Sequence, residues 1–359
     1  MVILHIAQLY NKQFSGVDIV VPKHVIYQQR IEKVALINLS GMVIDGVDNQ
    51  LFVDEKFNID ELPVPFNKPD VVVFHEVYRI GFLRIAKQLK KRGVSYIIVP
   101  HACLTNHALK IKKLKKFVGN IILFNKFIKN AKAIHCLSEY EKIETNFNVS
   151  KFVCANGIDL PPIVKREFDL EYLRFVYVGR LHIYHKGLDI LIDAIAKIKE
   201  FLIENNTRFE IYGPDIYKSK YILEKRIAKN HLENVITIKE SVYGDEKIKV
   251  LLSSNIFIQT SRLEGMPMSI LEALSLSMPC VVTEGTTLDK IIVQYNAGWA
   301  AKVDSESVAE SIKKAVLEKD NLAAMSINAR KLVEDNFSWE EIARKTIEEY
   351  KNMLGEKVC

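Results

Sequence analysis

The chain has 359 residues, 48% of them hydrophobic and 26% charged, with a formal net charge of +6. That length exceeds one comfortable core and predicts two domains, and the composition excludes extensive disorder. Five cysteines (Cys103, Cys136, Cys154, Cys280 and Cys359), widely spread and never in a C-x-x-C, exclude a disulfide framework or a structural zinc site and fit a reducing compartment.

The opening "MVILHIAQLY" lacks a basic leader and a small-residue cleavage site, so it reads as a buried strand and not a signal peptide. No uncharged apolar run approaches the roughly 18–20 residues needed to cross a bilayer. The expected location is therefore cytoplasmic. Strands are predicted at "VILHIAQ", "KVALINL", "VVVFH", "YIIVPH", "AIHCLS" and "FVCAN", with amphipathic helical patterns between them. After the first strand, "NKQFSGVDIV" places Gly16 in a strand-to-helix turn, where a glycine permits close approach by a phosphate or sugar. The full G-x-G-x-x-G pattern is absent, which counts against a nicotinamide enzyme. "PHACL" sets His101 directly after a strand. A lone histidine is more often structural, but ligands of parallel sheets sit at strand carboxyl ends.

No acidic residue occurs between Glu76 and Glu139, and the stretch 110–132 interleaves lysine with Leu, Ile and Phe. Two readings fit: a solvated helix face, or docking on an anionic membrane surface with shallow apolar insertion. Nucleic-acid binding is not indicated, because no recognised motif accompanies the charge.

"NGIDLPPIVKREFD", from Asn156, combines turn signals with a polar tail and marks the boundary between two strand–helix series. The division expected is 1–157, 158–336 and a last helical segment 337–359 able to pack back on the first domain. The second series has strands at "LRFVYVGR", "RFEIYG", "VITIKE", "NIFIQTS" and "CVVTE", and helices at "GLDILIDAIAKIKEFLIE" and "SESVAESIKKAVLE". The last helix opens at "SWEE", where Ser338 can cap and Glu341 can answer from the third position. Strands alternating with helices predict an α/β class with parallel sheets.

Chemistry concentrates after the strands of the second series. "VGRLHIYHKG" places Gly179, Arg180 and Lys186 between a strand and a helix start. Arginine, lysine and helix N–H groups there can hold phosphate, although a solvated loop is the plainer reading. His182 and His185 lack the partners of a metal site and read as loop histidines. "RLEGMPMSILEALSLSMPCVV" sets Glu264 and Glu272 eight apart around a Gly-Met-Pro turn, with Pro267 suited to the first helical position. No Asp-x-Asp, G-x-S-x-G or P-loop occurs, so no metal and no cofactor is expected.

With these two segments, the "NGID" linker, the "IYG" strand end at Gly213 and the closing "FSWEEIARKTIEEY", the chain resembles the family 4 glycosyltransferases over nearly its whole length. These are retaining enzymes of the GT-B fold, with two Rossmann-like domains whose parallel sheets face each other across a cleft; the style is that of bacterial capsule and exopolysaccharide assembly. The resemblance implies a nucleotide-sugar donor, UDP- favoured over GDP-, and a saccharide or lipid-linked saccharide acceptor. Arg180 and Lys186 would clamp the diphosphate, and Glu264 would face the transferred hexose. Gly179, Gly213 and the backbone of Gly265, Met266, Pro267 and Met268 would meet sugar and phosphate. Glu272 would accept from the ribose hydroxyls, with His101 and Gly16 closing the site from the first domain. The chain departs from the family pattern at Ala102, Ser15 and Glu240. A sugar-nucleotide epimerase of the same fold and a non-catalytic sugar-nucleotide-binding subunit are the alternatives.

Overall fold

The computed structural model describes residues 1–10, 16–53, 56–106, 123–215, 217–264 and 266–355. Two compact units divide the chain: Met1–Gly157 with Trp339–Cys359, and Ile158–Ser338.

In the first unit the order is β1 (Val2–Ala7), α1 (Gly16–Gln29), β2 (Lys33–Asn38), β3 (Gln50–Leu51), β4 (Val71–His75), α2 (Ile80–Arg92), β5 (Ser95–Val99), α3 (Asn125–Lys129), β6 (Ala133–Cys136), α4 (Glu139–Glu144) and β7 (Lys151–Val153). The seven strands form one sheet in the order β3-β2-β1-β4-β5-β6-β7, and every pairing is parallel. The strands are apolar on both faces, as a sheet covered on both sides requires. Leu4, Ile6, Val72, Phe74 and Ile98 pack under α2 and α3, through Phe82, Leu89, Phe127 and Ile128. Ile3, Val71, Val73, Ile97 and Val99 pack on the other face with Val21 and Val25 of α1.

The second unit runs through β8 (Leu173–Val178), α5 (Ile183–Lys186), α6 (Leu188–Lys197), α7 (Lys199–Glu204), β9 (Thr207–Tyr212), α8 (Ser219–Lys229), β10 (Ile236–Lys239), α9 (Gly244–Ser253), β11 (Ile256–Gln259), α10 (Met268–Ser275), β12 (Cys280–Thr283), α11 (Asp289–Gln294), β13 (Gly298–Ala301), α12 (Ser305–Leu317) and α13 (Leu322–Phe337). Its sheet has the order β10-β9-β8-β11-β12-β13, again parallel throughout. Both sheets have the Rossmann order, so each has a switch point beside its first strand, where ligands of such folds bind. The α/β class and two parallel-sheet domains expected from the alternation are the observed architecture.

The chain returns to the first unit through α14 (Trp339–Leu354). Trp339 is buried, and a Cβ on Gly157 would lie 2.4 Å from its ring, so only glycine fits there. Its ring meets His24 edge-on and stacks on Tyr27 of α1.

Candidate functional site

The second unit gathers most of the predicted residues above the carboxyl ends of its strands. β8 is followed directly by Gly179, whose N–H donates to Tyr212 O at 3.0 Å. Beside it, a Cβ on Gly213 would fall 1.7 Å from Gly179 O, so the two strand ends approach as closely as they do only because residue 213 has no side chain. Arg180 follows, its carbonyl held by the Tyr177 hydroxyl at 2.9 Å. Next to these strand ends opens a cavity of about 600 Å³. Gly179, Arg180 and Gly213 line it, with Ser241 and Tyr243 from the turn into α9, Lys247 from α9 itself, and Met268, Ser269 and Glu272 from α10. The volume lies within the roughly 300–1,000 Å³ range of small-molecule sites.

Glu272 is half-exposed on this cavity and accepts from Lys247 Nζ. Lys247 was not foreseen; it sits inside a helical pattern, where a lysine carries no signal. α10 begins at Met268, one residue later than a proline in the first helical position implies. Pro267 occupies the cap instead, at φ −83° and ψ 74°, and its carbonyl accepts from Ile270 and Leu271. Met268 N donates to Met266 O at 3.0 Å, so that amide is committed inside the turn and is not offered to a ligand. Gly265 lies outside the described residues.

Glu264 and Lys186 form a second, nearly buried cluster. Glu264 Oε1 accepts from Lys186 Nζ at 2.6 Å, Ser261 Oγ at 2.6 Å and Gln259 Nε2 at 3.0 Å. The two side chains are 9% and 12% exposed, so the charges screen each other where water reaches little. Ser269 Oγ donates to Gln259 Oε1 at 2.7 Å, which orients the Gln259 amide and links this cluster to the cavity wall. Gln259 and Ser261 were missed; both stand at the end of a predicted strand, the one signal that could have found them. Lys186 itself is placed by α5, a single turn capped by His182, whose Nδ1 accepts from His185 N at 3.1 Å. The turn closes at Gly187, at φ +62°, where a Cβ would lie 1.9 Å from Thr260 O. Arg262 clasps the next helix through a fork to both oxygens of Asp189, each at 2.8 Å. Burial opposes ionisation of Asp189, but the Arg262 bonds and charge outweigh it and hold the carboxyl below its usual range.

The two cations expected to act together are therefore divided. Arg180 lines the cavity with Glu272, whereas Lys186 neutralises Glu264 and is not in the cavity wall. Of the two histidines expected in a loop, His182 caps α5 and His185 lies inside it.

His101 and Gly16 belong to the first unit. Gly16 opens α1 after β1, and a Cβ there would meet nothing within 4 Å. His101, at φ 49°, follows β5, and its Nε2 lies 3.1 Å from His75 Nδ1. Burial depresses the His101 pKa to about 3. Glu141, also missed, braces this turn by accepting from the N–H groups of Ala102 and Leu137. Burial raises its pKa despite those two bonds.

A larger cavity of about 1,070 Å³ in the first unit contains none of the predicted site residues and is bordered by Lys87, Lys90, Lys91, Lys126 and Lys132. The basic stretch 110–132 lies partly outside the described residues. In its described part, 123–132, Phe124, Phe127, Ile128 and Ala131 are core residues and not available for membrane insertion, and Leu123 is the exposed apolar side chain; the expectation for 110–122 lies outside the described residues. No described helix is long and apolar enough to cross a membrane.

Residues 163–332 match the family described as glycosyl transferases group 1. An uncharacterised glycosyltransferase of Methanocaldococcus jannaschii is 27% identical over 79% of this chain and 67% of its own length. A GDP-mannose:cellobiosyl-diphosphopolyprenol alpha-mannosyltransferase of Xanthomonas oryzae is 22% identical over 56% of this chain. The matched stretch spans about half of that relative, 53%. Among solved structures, Anabaena HepE in complex with UDP superposes with a TM-score of 0.67 at 14% identity, covering 98% of this chain and 100% of its own. The fold is thus that of GT-B glycosyltransferases, and within it the second unit carries the stretch that matches glycosyl transferases group 1.

Proposed function

We propose that the protein transfers a hexose from a nucleotide-sugar, UDP- favoured over GDP-, to a saccharide or lipid-linked saccharide acceptor, with retention and in the synthesis of a cell-surface polysaccharide. The observation that carries this reading is the cavity at the carboxyl ends of β8, β9 and β10, with Arg180 and Glu272 on its wall. A nucleotide diphosphate needs a cation for its phosphates and a hydroxyl acceptor for its pentose, and this wall offers both. The UDP bound by HepE and the lipid-linked acceptor named for the Xanthomonas relative support the class of donor and acceptor.

In this account Arg180 meets the charge that grows on the departing diphosphate. Preorganised donors of this kind contribute about 10²–10³ in rate each. Glu272 releases Lys247 in part to receive the ribose hydroxyls, and Lys247 then joins the cationic wall. Glu264, held by three donors on one oxygen, positions the sugar through the other. No protein nucleophile is assigned; the departing phosphate takes the proton of the acceptor hydroxyl. The lack of Asp-x-Asp supports transfer without a metal. The location proposed is cytoplasmic, with the lysines of the first unit resting on an anionic membrane surface through charge alone.

Incubating the full chain with UDP- and GDP-hexoses and a crude lipid-linked acceptor tests the proposal. A glycosylated acceptor detected by mass spectrometry is the expected result. Epimerised donor without acceptor, or donor bound and returned unchanged in every combination, would overturn it.

A further inference from the structure

Four adjacent strands of the first sheet each carry a histidine near their carboxyl ends: His5 on β1, His75 on β4, His101 just after β5 and His135 on β6. The register explains their meeting. His5 pairs with Val73, two residues before His75, and His75 pairs with Val99, two residues before His101. Each step of two keeps the same face of the sheet. The rings therefore stack in a file: His5 Nδ1 lies 2.8 Å from His75 Nε2, and His75 Nδ1 lies 3.1 Å from His101 Nε2.

Such a file can run in either of two directions, and its fixed end chooses one. The Cys154 carbonyl can only accept, so His135 Nε2, at 2.8 Å, carries the proton. His135 Nδ1 is then the acceptor, and the Tyr350 hydroxyl, 3.4 Å away, points its proton there. The Gln28 side chain stands between Tyr350 and His5. Its amide nitrogen reaches the neighbourhood of the Tyr350 oxygen without closing a hydrogen bond. Its oxygen lies 2.9 Å from His5 Nε2, which must donate. The opposite orientation would set two acceptors against each other at Tyr350. From His5 the order propagates: His5 Nδ1 accepts from His75 Nε2, and His75 Nδ1 accepts from His101 Nε2.

We propose that Gln28, His5 and His75 are positioning residues that fix His101 as its Nε2–H tautomer, leaving Nδ1 a hydrogen-bond acceptor suited to a hydroxyl-bearing ligand. Burial supports neutral rings throughout, since it holds His5, His101 and His135 near 3 and His75 well below its usual value. That the hydroxyl belongs to a sugar rests on the transfer reading; the tautomer does not.

Two-bond ¹H–¹⁵N spectra of the full chain with ¹⁵N-labelled histidine, at neutral pH and without ligand, read the tautomer directly. His101 is assigned by the spin system lost in His101→Gln. The Nε2–H pattern is expected; an Nδ1–H pattern or an imidazolium would overturn the proposal whatever the protein's activity. Gln28→Met should lose the single-tautomer pattern and Gln28→Glu should keep it. An unchanged His101 pattern in Gln28→Met would remove Gln28 as the key. Should Gln28→Met fail to fold, the wild-type spectrum decides alone. Under the transfer reading, Gln28→Met should also lower kcat several-fold and leave the donor KM nearly unchanged, with Gln28→Glu restoring kcat.

Discussion

Three donors converge on one carboxylate oxygen of Glu264, and only one of them, Lys186, is charged. Removing that charge leaves a nearly buried carboxylate held by neutral groups alone. Lys186→Met should therefore cost about 3–5 kcal/mol in denaturant unfolding of the second unit, and Glu264→Gln with Lys186→Met together should cost less than Lys186→Met alone. Additive losses would contradict a coupled pair. Arg180 has the opposite character: it lines a cavity and carries little of the fold. Arg180→Ala should leave the unfolding midpoint within about 0.5 kcal/mol of wild type and lower kcat by roughly 10²-fold or more. Equal losses of stability and activity would place Arg180 in the scaffold. Arg180 was legible because a charged residue followed the end of an apolar strand, and Glu272 because it stands eight residues from Glu264 around a Gly-Met-Pro turn. The Lys186–Glu264 pairing was not, because a spacing of 78 residues carries no trace of a contact.

At the scale of elements, alternation revealed the long strands and missed two short ones. β3 has two residues, too few for any period, and β13 reads "GWAA", poor in strand-forming side chains. β13 forms because Gly298, at φ 153°, lets the backbone lie against Cys280, where a Cβ would come within 2.0 Å of the carbonyl. The apolar period from Leu188 to Glu204 is continuous, yet the helix breaks at Ile198, at φ −123° and ψ 24°. Periodicity records which side is buried and not whether the axis is unbroken. Glu141 of α4 shows what an element end can do: its carboxylate ties the turn after β5 to the turn after β6. Glu141→Ala should destabilise the first unit by about 1.5–3 kcal/mol, read by urea unfolding. A change below about 0.5 kcal/mol would mean that water replaces it freely.

The whole molecule joins two units of the same topology with unlike interiors. In the first, His5, His24, His75 and His135 are buried almost fully and His101 is half-buried, whereas the described histidines of the second, His182, His185 and His231, are half-buried or exposed. Burial lowers all five in the folded state, His24 to about 4 and His5, His101 and His135 to about 3. The unfolded chain takes up these protons near pH 6.5 and the folded chain does not. Stability is thus full above pH 6.5 and falls as pH drops from there toward about 3. Each histidine contributes about 1.4 kcal/mol per pH unit. The two tryptophans report separately, since Trp339 lies in the first unit and Trp299 in the second. In Trp299→Phe the remaining fluorescence should show acid unfolding at a higher pH than in Trp339→Phe. Coincident transitions in the carboxylate range would contradict this. The number of domains and their class were legible from length and alternation. The histidine file was in plain sight as "VILH", "VVVFH", "IIVPH" and "AIHC", but only the register shows that the four rings share a face.

The central claim is that the cavity beside β8 receives a nucleoside diphosphate through Arg180 and Glu272. Titration calorimetry of the full chain with UDP and with GDP tests it without an acceptor or a turnover. The account predicts saturable binding of one of the two, weakened by about 1.5–3 kcal/mol in Glu272→Ala and by a comparable amount in Arg180→Ala. Heat of binding identical in wild type and both variants, or none with either nucleotide, would contradict it.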